Sequence, residues 1–145
     1  MIHDITTDTA NPPVFIALAD ARKASPNGVE YKGADIAEQQ KKAYPDIATM
    51  HSALPPAQLF AKAESAAREM GWEIAAADAK EGRIEATQTT LLYGFKDDVV
   101  IRIAADQAGS KIDMRSMSRV GLSDVGVNAA RIRKFSSALR AVGGF

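Results

Sequence analysis

The sequence predicts a single α+β domain: a four-stranded antiparallel meander sheet with two amphipathic helices packed on one face. Alternating apolar residues mark four consecutive strands between about Trp72 and Val120. The connections between these strands are short, as between antiparallel neighbours. Helical apolar spacing on both sides gives the order helix, four strands, helix. The length of 145 residues is that of one domain, assigned to residues 1–145.

The first third of the chain, residues 1–53, is irregular in pattern and is predicted to form an N-terminal strap. Turn clusters such as Ser25–Gly28 interrupt it. Asp35 is a candidate cap for one short helix, which Pro45 stops. A segment of this kind does not hold a core alone, so we expect it to wrap around the core built by residues 54–145.

The core opens with a helix, because Pro56 suits a first helical turn. Its apolar face is formed by Leu59, Ala63, Ala66 and Met70. The four strands are predicted at about Trp72–Ala76, Arg83–Thr90, Asp98–Ala104 and Lys111–Val120. Gly82 closes the first hairpin, where a positive φ is expected. The closing helix follows Asn128, and its apolar face is formed by Ile132, Phe135, Leu139 and Val142.

The two faces of the predicted sheet differ in character. One face is apolar and must be covered, and the two amphipathic helices are the obvious cover. The opposite face is polar and rich in arginine and carboxylate side chains, among them Glu85, Arg102, Asp113, Arg115 and Arg119. Two alternatives are open for this second face: it is solvated, or the N-terminal strap lies across it.

Composition excludes several classes of function. The formal charge of zero and a pI of about 6.7 supply no field that would attract nucleic acid, so no nucleic-acid partner is expected. Without cysteine there are no disulfides, thiolate metal sites or cysteine nucleophiles. No apolar run approaches the roughly 18 residues of a membrane span. The N-terminus lacks the pattern of a signal peptide. No cofactor is predicted.

Several sequence blocks form a recognisable pattern. The most specific is RSMSRVG at residues 115–121, followed by Ser123, Asp124, Gly126, Asn128 and Arg131; others are GWEI at 71–74 and GRIEAT at 82–87. Together these blocks resemble the family catalogued as domain of unknown function 1499, over nearly the whole chain. Because no activity is settled for that family, the resemblance transfers no catalytic residue.

The resemblance also carries an implication about location. Members of the family often have apolar membrane segments ahead of the block that resembles His3 to Asp8. The resemblance therefore implies that this chain is the soluble part of a membrane-tethered protein of the bacterial cell envelope, on the periplasmic side. The alternative is a naturally short, soluble, cytoplasmic member.

The junction between the last strand and the closing helix is the candidate site for an anionic ligand. Free N–H groups at a helix N-terminus favour anions, and arginines bind carboxylate or phosphate in bidentate fashion. The candidate residues are Arg115, Arg119, Ser123, Asp124, Asn128 and Arg131. In the alternative interpretation Ser123 or Asp124 caps the helix, and the arginines pair with Asp4, Asp8 or Asp46.

An apolar loop between the second and third strands is the candidate for a partner contact. Its residues are Leu91, Leu92, Tyr93 and Phe95. On the surface, such a cluster would touch a partner or a membrane. The alternative is that Leu92 and Phe95 fold back and plug one end of the core.

No arrangement of catalytic or metal-binding residues can be identified. His3 and His51 are the only histidines and lie far apart, so no metal site is predicted. Ser116, Ser118 and Ser123 are nucleophile candidates by residue type alone. We therefore predict a non-enzymatic binding or scaffold module of the cell envelope, with a small anion or an envelope protein as partner. The alternative is a small hydrolase that uses the same polar cluster.

Overall fold

The computed structural model describes residues 2–91, 93–122 and 124–145, and within them the chain forms six strands and four helices in an α+β arrangement. In chain order these are β1 (Asp4–Thr6), α1 (Ala19–Lys23), α2 (Ala34–Ala43), β2 (Met50–Ser52), α3 (Pro56–Glu69), β3 (Glu73–Asp78), β4 (Arg83–Thr89), β5 (Lys96–Asp106), β6 (Gly109–Ser118) and α4 (Val127–Ala141).

The sheet is antiparallel, with β3, β4, β5 and β6 pairing in chain order. Gly82 lies in the β3–β4 turn with a φ of 68°, and a Cβ there would come within 2.1 Å of the Ile103 carbonyl oxygen. The predicted positive φ at this glycine is confirmed.

The predicted number of four strands is wrong, because the described residues contain six. The two additional strands, β1 and β2, belong to the strap, and both pair with the outer edge of β6. Each has three residues, which is too short for an alternating pattern to stand out. The short helix predicted in the strap is α2, whereas α1 is a further helix of the strap that was not predicted. Asp35 lies inside α2, which begins after Gly33 without a side-chain cap.

The helices α3 and α4 cover the apolar face of the sheet, as predicted. The main hydrophobic cluster joins Leu59 and Ala63 of α3 to Phe135 and Leu139 of α4 above the strand side chains. The rings of Trp72 and Phe135 stack at a centroid distance of 5.3 Å. Burial of this apolar area is the main stabilising term of the fold.

The strap lies across the polar face of the sheet, which decides between the two alternatives for that face. The buried carboxylate of Glu85 accepts hydrogen bonds from the backbone N–H groups of Ile16, Ala17 and Leu18, at 3.0, 2.8 and 3.1 Å. Around this anchor, Phe15 and Leu18 pack with Val100 and Met117 into a second hydrophobic cluster.

Two buried arginines that both contact the Phe15 ring hold the strap on the sheet. Arg22 donates to the Asp98 carboxylate at 2.8 Å, and Arg115 binds the Asp4 carboxylate through two hydrogen bonds of 2.9 Å. Both guanidinium groups face the Phe15 ring, at 5.0 and 4.9 Å from its centroid. The Arg115–Asp4 pair is one that the alternative interpretation of the junction arginines predicted, whereas the Arg22–Asp98 pair was not predicted.

Glu85→Ala should loosen the strap selectively. The substitution removes the acceptor of three backbone N–H groups in a covered position, and we expect a loss of about 3 kcal/mol in the free energy of unfolding. Urea denaturation measures the loss, and limited proteolysis should report faster cleavage within residues 14–29. Glu81→Ala, at an exposed carboxylate in the neighbouring turn, is the control. Equal unfolding midpoints for the two variants would contradict the anchoring role of Glu85.

Candidate functional site

Two loops lie side by side at one end of the sheet, called here the loop end. They are the β4–β5 loop (residues 90–95) and the β6–α4 loop (residues 119–126). Asp97 of β5 pairs in register with Ser118 of β6, and the N–H of Arg119 donates to the carbonyl of Lys96 at 3.0 Å. This register brings together two loops that are about 30 residues apart in the chain.

Between these loops lies an apolar groove with a volume of about 420 Å³. Its walls are formed by Thr90, Tyr93, Phe95, Asp97, Ser118, Val120, Gly121, Asp124, Val125 and Val127. The rings of Tyr93 and Phe95 contact each other at a centroid distance of 5.6 Å. The groove therefore includes residues from the predicted partner loop and from the predicted anion site.

Three of the residues predicted for partner contact, Leu91, Tyr93 and Phe95, lie at the loop end with exposed side chains. Leu91 is fully exposed, Tyr93 is 72% exposed and Phe95 is 51% exposed. Leu92 lies outside the described residues. Partner contact through this loop stays a prediction.

Sequence reasoning missed the contribution of the second loop. Leu122 and Val125 are 74% and 90% exposed, and Val125 has a φ of 48°. A positive φ is a strained conformation for a β-branched residue. The available signal was the pair of large apolar residues between Gly121 and Gly126, which a polar surface loop does not need.

The residues predicted for anion binding are divided between the two faces of the sheet. Arg115 and Arg119 face the strap, whereas Asn128 and Arg131 lie on the side of α4. This division follows from the alternation of side chains along β6: Arg115 points to one face and its neighbour Ser116 to the other. Ser123 lies outside the described residues. The described candidates therefore do not converge on one point.

Arg131 is buried and occupied by internal partners. It forms an ion pair of 2.8 Å with Asp97, and it also donates to the hydroxyl of Ser116, the side-chain oxygen of Asn128 and the side-chain oxygen of Gln88. An anionic ligand would have to replace the Asp97 carboxylate to reach this guanidinium group.

Asp124 stabilises the start of α4. Its two carboxylate oxygens accept the N–H groups of Gly126 at 2.8 Å and of Asn128 at 2.9 Å. The carboxylate thus occupies the positive end of the helix dipole, where an anionic ligand was expected. The N-cap residue of α4 is Gly126, so Asp124 stabilises the start of the helix from two residues upstream rather than as the cap itself.

Asp98 is fully buried and binds two arginines. It accepts two hydrogen bonds from Arg119, at 2.8 and 3.0 Å, and one each from Arg22 and Thr87. Burial alone would raise the pKa of Asp98, but the hydrogen bonds from Arg119 and Thr87 and the charges of Arg119 and Arg22 lower it below its ordinary value of 3.8.

Ser116, Ser118 and the two histidines have polar partners within the domain. Ser116 donates to the Asn128 side-chain oxygen at 2.6 Å, and the hydroxyl of Ser118 accepts from the Asn128 amide at 2.9 Å. His3 contacts the Leu122 carbonyl, while His51 pairs with Asp106 near the β5–β6 turn. Among the described residues, no three histidine or carboxylate groups cluster in a way that would hold a metal ion.

Comparison with known proteins identifies the family. A family model described as "Protein of unknown function (DUF1499)" matches residues 4–139. The chain belongs to this family. The match runs from β1 into the last turn of α4, so the DUF1499 region includes both the strap and the loop end. No curated protein matches the chain. Within the described residues, none of the helices combines the length and apolarity needed to cross a bilayer.

Arg119→Ala should destabilise the DUF1499 domain. Asp98 would keep Arg22 and Thr87 but lose its bidentate partner, and we expect a loss of about 2 kcal/mol in the free energy of unfolding. Arg68→Ala is the matched control, because Arg68 pairs with Glu64 at 2.7 Å on the exposed surface of α3. Chemical denaturation of both variants measures the difference. Unchanged or increased stability of Arg119→Ala would contradict this structural role and would indicate that Arg119 serves ligand binding instead.

Asp98 should also make stability depend on acid pH. Because its pKa is lower in the folded than in the unfolded state, the contribution of Asp98 is complete above about pH 4 and is lost as the pH falls through the folded pKa. Asp98→Asn should be less stable near neutral pH, and its stability should fall less steeply in acid. Urea unfolding between about pH 2 and 6 measures both effects, with the exposed Asp35→Asn as control. An acid dependence as steep as that of the unsubstituted domain would contradict this assignment.

Proposed function

We propose that this DUF1499 domain is a non-enzymatic binding domain whose ligand or partner occupies the apolar groove at the loop end. The observation that carries the proposal is the concentration of exposed apolar side chains. Of the eleven large hydrophobic residues exposed in the described part of the chain, seven belong to the two loops or to the first residue of α4. Contiguous apolar surface of this kind is typical of interaction sites.

The groove has the character of a binding site for an apolar group. Its volume of about 420 Å³ is within the range of ligand sites, which is roughly 300–1,000 Å³. Its few polar groups include Thr90, Ser118 and Asp97. Asp97 is paired with Arg131, and the carboxylate of Asp124, which also lines the groove, accepts two backbone N–H groups.

The geometry of the serine residues supports binding rather than catalysis. A serine nucleophile needs an adjacent base, and the partners of Ser116 and Ser118 are the amide of Asn128 and the guanidinium of Arg131. Neither group takes up a proton at neutral pH. The alternative of a small hydrolase would require a base to reach one of these hydroxyl groups, and no specific observation favours it.

An anionic group on the ligand is the second part of the proposal. Arg119 is the most accessible of the junction arginines, with 20% of its side chain exposed, although it is paired with Asp98. Arg119 does not line the groove but borders the depression that includes Glu73 and Lys96, so the anionic group would lie outside the groove and would share this guanidinium with Asp98. The apolar part of the ligand would supply most of the affinity, and the anionic part would supply the preference for anionic over uncharged ligands.

Residence in the bacterial cell envelope, on the periplasmic side, is the third part of the proposal. This part rests on what the resemblance to the family implies about location and on one geometric fact. His3 contacts the Leu122 carbonyl at 3.4 Å, and the Ile2 carbonyl accepts from the N–H of Asp124 at 3.4 Å. Residues 2 and 3 therefore lie beside the β6–α4 loop, at the same end of the sheet as the groove. Fractionation of cells that express the full-length protein, followed by protease accessibility, tests this location.

The binding proposal predicts saturable binding of a short amphiphile in the groove. Amide chemical shifts of the labelled domain are followed during titration with decanoate and with uncharged decanol, both below micellar concentrations. We expect perturbations concentrated around the groove, and tighter binding of decanoate if the anionic part of the proposal is right. Tyr93→Ser should weaken binding about tenfold, because an aromatic wall is lost.

Val14→Ser is the matched control, since Val14 is also exposed but belongs to the strap. It should bind both amphiphiles as the unsubstituted domain does. The proposal fails if neither amphiphile gives saturable shifts, or if Tyr93→Ser binds them unchanged.

A further inference from the structure

We infer that the partner of the loop end is a lipid bilayer whose surface carries anionic headgroups. This inference deepens the proposed function and rests on it. The apolar residues of both loops would enter the boundary between headgroups and acyl chains, and flanking lysines would lie among the headgroups. Three features of the loop end carry the argument: the extent of its apolar surface, its hydrogen bonding and its charge.

The apolar surface extends beyond what a ligand in the groove would cover. Leu91 and Leu122 are exposed, yet neither lines the groove. Leu91 instead borders a neighbouring depression that also includes Met70 and Lys134. A small molecule held in the groove would leave both leucines in water, whereas an extended apolar phase would cover them together with Tyr93 and Val125.

The backbone of the β4–β5 loop satisfies several of its own polar groups. The N–H of Thr90 donates to the Phe95 carbonyl at 2.7 Å, and the N–H of Gly94 donates to the Thr90 carbonyl at 3.1 Å. The N–H of Phe95 donates to the Thr90 hydroxyl at 2.9 Å. A loop that enters the region below the headgroups needs such internal partners, because water is scarce there.

The carboxylates of Asp97 and Asp124 at the loop end have internal partners, and two exposed lysines lie at its rim. The carboxylate of Asp97 is paired with Arg131, and that of Asp124 is bonded to two backbone N–H groups. Lys96 and Lys134 are exposed on either side of the loops, and within the described residues neither forms an ion pair. Glu73 borders the flank of Lys96, where it also faces Arg119. Long lysine side chains at the rim of an apolar surface reach the headgroups of anionic lipids.

The inference predicts binding of the intact domain to vesicles. In flotation experiments the domain should rise with vesicles of phosphatidylglycerol and phosphatidylcholine, and more weakly with phosphatidylcholine alone. Increasing salt should reduce binding to the anionic vesicles, since exposed charges are screened. Leu91→Asp should reduce binding to both kinds of vesicle, whereas Val14→Asp, on the strap, should bind as the unsubstituted domain does.

The contribution of charge is tested separately. Lys96→Glu combined with Lys134→Glu should lower the partition onto anionic vesicles by about tenfold or more and leave the weak binding to phosphatidylcholine unchanged. Leu91→Trp places a reporter at the tip, and its emission should shift to the blue on anionic vesicles. The native Trp72 is buried and gives a constant background. Val14→Trp should show no shift.

The outcomes distinguish this inference from the proposed function. If decanoate or decanol binds in the groove but vesicles do not bind, the bilayer inference is overturned and the groove serves a dispersed amphiphile. A concentration-dependent dimer that Leu91→Asp abolishes, without vesicle binding, would instead assign the loop end to a second copy of the chain. Vesicle binding that none of the loop or lysine variants changes would also overturn the inference. Failure of both the amphiphiles and the vesicles would overturn both proposals.

Discussion

Two consecutive carboxylates of β5 connect the three layers of the molecule. Because side chains alternate along a strand, Asp97 points towards α4 and Asp98 points towards the strap. Asp97 pairs with Arg131 of α4, and Asp98 pairs with Arg22 of the strap and with Arg119. A buried carboxylate requires partners of opposite charge, so each of these pairs specifies which element covers its face of the sheet. A one-residue shift of β5 would exchange the two carboxylates and break both pairs at once.

The same constraint determines what remains for function. The arginines that attract attention in the sequence are used to hold the layers together, and their guanidinium groups are occupied by internal carboxylates. The surface above these pairs is formed by two loops whose large side chains are apolar and exposed. The ion pairs thus form a fixed base, and the loops that they position present leucine, tyrosine, phenylalanine and valine side chains to the surroundings. A binding function is therefore better placed on the loops than on the arginines.

The sequence predicted the long, periodic elements well, namely α3, α4 and the strands β3 to β6, because each repeats its apolar spacing often enough to be recognised. It did not predict β1, β2 or α1, whose three to five residues carry no period. The anion site combined Arg115 with Arg131 because both flank the junction in the chain. Their separation by the sheet depends on the face to which each side chain points, and on the partners supplied by Asp4 and Asp97. The sequence does not reveal the contact between Glu85 and the strap either, because the groups that donate to the Glu85 carboxylate are backbone N–H groups.

At the loop end, Val125 combines a strained backbone conformation with an exposed apolar side chain. The stability of the domain alone does not readily explain this combination. Val125 has a φ of 48° and is 90% exposed. A left-handed conformation costs a residue other than glycine about 1–2 kcal/mol. Because the side chain is exposed, its burial within the domain contributes little stabilising free energy. Asp124 holds the turn in place through its bonds to Gly126 and Asn128. A turn that served only to start α4 would be more stable with glycine at this position. The exposed valine side chain adds to the apolar surface of the loop end, which is the surface that the proposed partner would cover.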